Sequence, residues 1–303
     1  MDTNRTGSLT VVNSVGQTHF IVVAFLARYP ANTRRTYRSH LHQWFTWCED
    51  HGLDPMAVQR GHIEAWARHL NEERGLKNST VGAKLNCICG MYRFAYLDGL
   101  LPLDPAAHVR RPKIQFVSST KGLTRSELAD VLKAAEAEGP MTYALMCLLA
   151  LNGLRIGECL AIDIEHLGYE RGYRTLFLPH RKGGKVGTLG LAVRTSWALE
   201  QILAGRTEGP LLLGRNGQRL DVAAARRTVR RLCRHCGIRK RITPHSFRHT
   251  FVTLALDAGV PERDIMGSTG HTTPTMIGYY DRNRGSVERN ATHAVAAFVG
   301  VAG

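Results

Sequence analysis

Three short runs in this 303-residue chain put cations and imidazoles where they could hold an anion. The first is Leu151-Asn152-Gly153-Leu154-Arg155-Ile156-Gly157-Glu158. An Asn-Gly turn after an apolar stretch presents Arg155 at the start of the next helix, where unpaired amides and the helix dipole favour negative charge. Glu158, one turn on, could hold the guanidinium in place, although alone the pair reads as a surface ion pair at i, i+3. The second run is His245-Ser246-Phe247-Arg248-His249, which opens a helix after Thr243-Pro244. His245 and Arg248 share a face and suit a phosphate clamp. His245 and His249 have a spacing that zinc could use, but no glutamate lies between them and no third ligand follows by pattern, so no metal is expected. The third run is Gly270-His271, followed nine residues later by Tyr280, itself preceded by Tyr279.

Elements must bring these runs together. Tyr37, Leu41, Trp44, Phe45 and Cys48 recur on one helix face, with Arg34, Arg35, Arg38 and His42 between them on the other side. Ile63, Trp66, Ala67 and Leu70 repeat the pattern. Val81, Leu85, Ile88 and Tyr92 do so again, after a candidate N-cap at Asn78 or Ser79. With a helix around 17–29, about four helices precede residue 100, and their aromatic stripes read as core. Leu101-Pro102-Leu103-Asp104-Pro105 stops the last of them. Residues 109–122 show no period and read as an exposed basic linker. Thr124-Arg125-Ser126-Glu127 is a capping box that opens a second domain. The expected organisation is a helical domain at 17–108, the linker at 109–122 and a mixed domain at 123–303. The second domain begins with an apolar helix over 140–151 and a short helix from Arg155 to Ala161. A β-hairpin follows, of 173–178 and 186–191 around the turn Lys182-Gly183-Gly184-Lys185. Further helices are expected at about 195–204, 221–236, 244–258, 261–267, 274–280 and 286–299. The last carries an apolar stripe of Val287, Ala291, Ala294, Val295 and Phe298, which suits packing on its own domain.

Lys+Arg number 40 against 25 Asp+Glu, a formal charge of +15. The excess is spread, with +5 over residues 1–118 and +10 over 119–303, so it is not one basic tail. Such a chain suits a polyanion, and nucleic acid is the natural partner, since Lys and Arg displace counterions from phosphates. The candidate DNA face of the first domain is Arg34, Arg35, Arg38 and Lys84. In the second, Arg226, Arg227, Arg230, Arg231 and Arg234 recur at helical spacing and read as phosphate or groove contacts in preference to a merely solvated face. A hydrophobic share of 44% excludes a disordered polar protein. No apolar run approaches the roughly 18–20 residues of a membrane span. The N-terminus lacks a basic region followed by an apolar block, so no secretory leader is expected. Seven scattered cysteines point to a reducing compartment, and with a nucleic-acid partner the expected location is the cytoplasm, at the nucleoid. Cys233-x-x-Cys236 has no second pair to complete a zinc set.

Taken in order, Arg155, a hairpin Lys182, His245-x-x-Arg248, Gly270-His271 and Tyr280 resemble the tyrosine recombinase (phage integrase) family. The resemblance covers most of the chain. It implies a mainly α fold with a small β-sheet: an N-terminal four-helix core-binding (SAM-like) domain at 17–100, then a mixed α+β catalytic domain from about 119 to 300. Residues Tyr280-Asp281-Arg282-Asn283-Arg284-Gly285 and Ala296-Ala297-Phe298-Val299 are similar to the ends of recombinases carried on bacterial mobile elements. The resemblance also adds a neighbouring subunit as the other surface on which the apolar stripe of the last helix would pack. Two departures stand out. Arg181 occupies a position where members usually have a small residue, and Ser268-Thr269 stand where many carry an apolar pair.

The implied active site is Arg155, Lys182, His245, Arg248, His271 and Tyr280. Arg155 and Arg248 would pair with the non-bridging oxygens of a phosphodiester, whose charge grows in the transition state. His271 would add a third donor. Tyr280 would attack phosphorus, its phenol (pKa about 10) helped to ionise by the cationic pocket and by His245 as proton acceptor. Lys182 would protonate the leaving 5′ oxygen, with Lys185 as the alternative lysine and Tyr279 as the alternative nucleophile. The covalent link conserves the bond energy, so no cofactor, ATP or metal is expected. The implied partners are double-stranded DNA, clamped between the two domains, and three further protomers in a homotetramer that exchanges strands through a Holliday junction. Three other classes fit parts of the pattern: a type IB topoisomerase-like nicking-closing enzyme, a non-catalytic DNA-binding regulator, and a zinc hydrolase built on His245 and His249.

Overall fold

The apolar period of the first hundred residues builds four helices: α1 (Ser14–Ala27), α2 (Ala31–Asp50), α3 (Arg60–Arg68) and α4 (Asn78–Leu97), with one π-helical turn at His69–Glu73. The computed structural model describes residues 14–113, 121–179, 181, 186–271, 273, 277, 278, 295 and 299. The chain divides into two units, Met1–Gln115 and Phe116–Gly303, each with its own core.

In the first unit the aromatic stripes are core, as their spacing implies. Trp44 stacks on Trp47 and meets Trp66 edge-on. Its indole Nε1 donates to the Tyr92 hydroxyl at 2.8 Å, and that hydroxyl donates to the Pro55 carbonyl at 2.8 Å. One phenolic oxygen therefore satisfies two buried polar groups that would otherwise be stranded. Asn78 does not cap α4. Lys77 holds the cap position without a side-chain bond, while the Asn78 amide donates to the Lys113 carbonyl at 3.0 Å. Val109, the first residue of the expected linker, is buried in this core, whereas Arg110, Arg111 and Lys113 are exposed. Residues 114–120 lie outside the described residues.

The second unit opens with α5 (Arg125–Glu138) at the capping box read from the sequence. Thr124 Oγ1 accepts from the Glu127 amide at 3.1 Å, and the Glu127 carboxylate accepts from the Thr124 amide at 2.7 Å. Next comes α6 (Pro140–Ala150), buried at every position from Tyr143 to Ala150, which explains an apolar run with no polar face. Then follow α7 (Ile156–Leu160), a 3₁₀ turn at Ile164–His166, and a three-stranded antiparallel sheet in the order β1 (Leu167–Glu170), β2 (Tyr173–Leu178), β3 (Gly187–Gly190). The β2–β3 pairing matches the expected hairpin, with Leu176 opposite Leu189. The first strand was not anticipated. It joins β2 through Arg171-Gly172, both left-handed (φ 49° and 81°), the geometry of a two-residue hairpin turn. Four more helices follow among the described residues: α8 (Val193–Leu203), α9 (Val222–His235), α10 (Pro244–Asp257) and α11 (Glu262–Thr269). Of the helices expected at 274–280 and 286–299, all but residues 277, 278, 295 and 299 lie outside the described residues.

Among the described residues no helix is long and apolar enough to cross a membrane. All seven cysteines are free thiols. Burial pushes the Cys233 thiol up to about 12 and raises that of Cys236, so the C-x-x-C pair carries neither a disulfide nor a ready thiolate.

Replacing Tyr92 by Phe removes the shared hydroxyl and leaves the Trp44 N–H and the Pro55 carbonyl unpaired. We expect a loss of about 2 kcal/mol, since each stranded buried group costs roughly 1–3 kcal/mol. Urea denaturation followed by tryptophan fluorescence reads it, because Trp44, Trp47 and Trp66 all lie in this unit.

Candidate active site

The last carbonyls of an α-helix have no partner within the helix and form the negative end of its dipole. At the end of α11, Gly270 takes the left-handed conformation (φ 66°) and turns the chain away, leaving the carbonyls of Gly267, Ser268 and Thr269 open. Three guanidiniums fill that position. Arg248 on α10 donates through Nη2 to the Thr269 carbonyl and through Nη1 to the Gly153 carbonyl at 2.9 Å. Arg155 reaches the same Thr269 carbonyl at 3.5 Å. Arg181, beyond the end of β2, donates to the carbonyls of Ser268 at 2.8 Å and Gly267 at 3.3 Å.

Local structure fixes each of these arginines. Gly153 is left-handed (φ 60°), and a Cβ there would lie 2.5 Å from the Phe251 ring, so only glycine fits. Asn152 beside it is buried; its amide donates to Gly190 at 3.3 Å, and its oxygen accepts from Thr195 at 2.8 Å. The turn is thus bolted to β3 and α8. Glu158 accepts from the Arg155 backbone amide at 2.9 Å and from its guanidinium at 2.6 Å. At 6% exposure, Glu158 is not half of a solvated surface pair. Arg248 is 1% exposed and is held by the main-chain carbonyls of Gly153 and Thr269.

His271 completes the cluster. The Thr269 hydroxyl donates to the Ile265 carbonyl at 2.5 Å, so toward His271 Nδ1, 2.8 Å away, it can only accept. Nδ1 therefore carries the proton, and the Nε2 lone pair accepts from Arg248 Nη2 at 3.2 Å. Burial, then the nearby Arg248 and Arg155 cations, pushes the His271 pKa down to about 4. In the free protein this imidazole is a neutral acceptor and not the third donor that the resemblance implies. The departure at Ser268-Thr269 is also explained, since both hydroxyls are satisfied within the turn.

His245 is exposed, one turn before Arg248. Partial burial of its ring, then the Arg248 and Arg155 cations, lowers its pKa from the usual value. His249 is buried and packs against the backbone at Gly122. Among the described residues no group of three or more His, Cys, Asp or Glu could hold a metal ion, so the zinc reading gains no support. Lys182, Lys185, Tyr279 and Tyr280 lie outside the described residues. Ile277, three positions before Tyr280, is buried with Val252 of α10 and Ile265 of α11.

The basic faces came out unevenly. Arg34, Arg35 and Arg38 are exposed on α2. Lys84 is not on that face, and this expectation is corrected: α4 packs on α2 there, Lys84 is 6% exposed, and its ammonium donates to Gln43 at 2.5 Å. Burial and then Arg74 lower its pKa. Arg226, Arg227, Arg230, Arg231 and Arg234 are all exposed on α9, opposite buried Ala225, Val229, Leu232 and Cys233. Arg227, Arg230, Arg231 and Arg234 line a concavity with Arg215 and Arg219, and Arg231 is ion-paired with Glu138. The site residue that sequence reasoning missed is Arg181. Its signal was present, a long cation where a small residue is usual.

Comparison with known proteins identifies the family of the chain. Residues 121–286 match the model of the phage integrase family, and residues 25–99 match that of the phage integrase N-terminal SAM-like domain. The chain is 26% identical to the tyrosine recombinase XerD of Chlorobaculum tepidum over 260 residues, covering 81% of this chain and 84% of that protein. It is 29% identical to XerD of Mycobacterium leprae over 278 residues, covering 82% and 86%. Its fold matches a crystal structure of the XerH site-specific recombinase bound to a palindromic difH substrate in a post-cleavage complex. That match has a TM-score of 0.71 and 17% identity, over 92% of this chain and 84% of that one.

The depressed pKa of His271 makes stability depend on pH. Its folded value, about 4, lies below the unfolded value near 6.5, so the unfolded chain binds more protons between them. The contribution is complete above pH 6.5 and is lost as pH falls toward 4, by up to about 3 kcal/mol. Denaturation at pH 7.5 and 4.5 should show a smaller difference in His271→Gln than in the wild type.

Proposed function

The chain belongs to the phage integrase family, and we propose that it is a site-specific tyrosine recombinase acting on double-stranded DNA. The observation that carries this reading is the convergence of Arg155 and Arg248 on one carbonyl, that of Thr269, from segments far apart in sequence, with His271 bonded to Arg248 and to the Thr269 hydroxyl beside it. A phosphodiester oxygen is the ligand that such a set suits, being anionic, small and rich in lone pairs.

In this reaction the Tyr280 oxygen attacks phosphorus, its proton passing to neutral His245. The bond between phosphorus and the 5′ oxygen breaks, and Lys182 gives that oxygen a proton. The products are a 3′-phosphotyrosyl link and a free 5′ hydroxyl. Religation is the reverse, with a 5′ hydroxyl from a partner strand as the attacking group, and needs no cofactor. Arg155 and Arg248 hold the non-bridging oxygens as their charge grows. The His271 acceptor state described above gives DNA binding a further role. A phosphate at Nε2 favours the protonated ring, so His271 becomes a donor only when its substrate is present.

The same reading assigns core binding to residues 17–108, a linker to 109–122 and catalysis to 123–303. Arg34, Arg35 and Arg38, with Arg226, Arg227, Arg230, Arg231 and Arg234, contact the duplex backbone or its grooves. Four protomers assemble on two sites and exchange strands through a Holliday junction, in the bacterial cytoplasm at the nucleoid. The sequence from Tyr280 to Gly285 favours integration or excision of a mobile element as the task.

Two experiments test this. With a nicked suicide duplex in EDTA, the wild type and Tyr279→Phe should form a covalent protein–DNA adduct and Tyr280→Phe none; an adduct from Tyr280→Phe would falsify the nucleophile. Lys182→Ala should slow cleavage of ordinary DNA by about 100-fold or more, the scale of general acid catalysis. It should spare a substrate whose leaving oxygen is replaced by sulfur. If Lys185→Ala behaves that way instead, the lysines exchange roles.

A further inference from the structure

Arg181 donates to main-chain carbonyls, whereas Arg155 is bonded to the Glu158 carboxylate. Glu158 acts on it only at longer range and is already bonded to Arg155. Its hydrogen bonds go to the carbonyls of Ser268 and Gly267, the negative end of α11. Two glycines leave room for it. A Cβ on Gly270 would lie 2.8 Å from the guanidinium carbon and Nη2, and a Cβ on Gly187 of β3 would lie 3.0 Å from Nη1. The side chain thus occupies a slot that larger residues on either side would close. Burial lowers its pKa, as suits a cation drawn out of water into that slot.

Arg181 is also the last described residue before Lys182, and consecutive Cα atoms are about 3.8 Å apart. Whatever fixes Arg181 therefore fixes one end of the segment that carries Lys182. We propose that Arg181 is a positioning residue: its grip on the last turn of α11 ties the β2 end of the hairpin to the turn that bears His271, and so sets where Lys182 delivers its proton. This rests on the recombinase reading above, in which the Lys182 ammonium protonates the 5′ oxygen as its bond to phosphorus breaks.

The test compares Arg181→Ala and Arg181→Lys with the wild type on two nicked suicide duplexes, one ordinary and one with sulfur as the bridging 5′ atom. A thiolate leaves without needing a proton. Arg181→Ala should form adduct at least about tenfold more slowly on the oxygen substrate but within about twofold of wild type on the sulfur substrate. Arg181→Lys, which keeps one donor, should recover part of the loss. Gly187→Ala, which crowds the guanidinium without touching the chemistry, should show the same sulfur rescue. Equal losses on both substrates would mean that Arg181 binds phosphate or holds the fold, and no loss on either would mean that it positions nothing; each overturns the proposal. Hydrogen exchange gives a readout that needs no activity. Amides of 176–190 should exchange faster in Arg181→Ala, with those of α6 unchanged, and unchanged exchange throughout would also overturn it. Failure of the wild type to form any adduct while exchange responds as expected strikes at the recombinase reading instead.

Discussion

Gathering cations in one place is electrostatically costly, and the end of α11 is what makes it tolerable here. Two like charges about 5 Å apart repel by roughly 3 kcal/mol at the effective dielectric of a protein surface. Arg155, Arg181 and Arg248 all reach the terminal carbonyls of this one eight-residue helix. Those carbonyls contribute about half a negative charge and, more to the point, fixed acceptors. Glu158 adds one buried carboxylate. The cluster stays short of anionic partners, and this is the condition in which it would welcome a phosphate.

The arrangement is made before any substrate arrives. Arg248 is held by two main-chain carbonyls, Arg155 by a carboxylate that also binds its own backbone amide, and His271 by a hydroxyl whose proton is already committed elsewhere. Little reorganisation is left for the moment of reaction, which is how preorganised donors lower a barrier. Within this cluster His271 is held neutral by its burial and then by the neighbouring Arg248 and Arg155 cations.

What the sequence made legible was mostly local. Hydrophobic period located the helices, the Thr124–Glu127 box marked the start of α5, and two β-rich runs around a Gly-Gly turn gave the β2–β3 hairpin. Short signals with weak period were missed: β1 has four residues, and its Arg171-Gly172 turn uses an arginine where asparagine or aspartate is the common cue. Long-range outcomes could not be read at all. Arg155 meets a carbonyl 114 positions away and Arg248 one 95 away, and no spacing rule reports such pairs. Lys84 was misread because helical period assigns a face but not what packs against it; α2 covers that side, and Gln43 takes the ammonium. Glu158 was ambiguous for the same reason, its burial being decided by elements distant in sequence.

The fully enclosed helix α6 has a consequence for when the protein can act. It packs against α5, α8, α9 and α10, and the turn that follows it supplies Gly153 and delivers Arg155. A partly folded chain in which α6 has not found its neighbours cannot align Arg155 and Arg248, because the turn that holds them follows this buried helix. Competence to cut is thereby tied to cooperative completion of the whole fold.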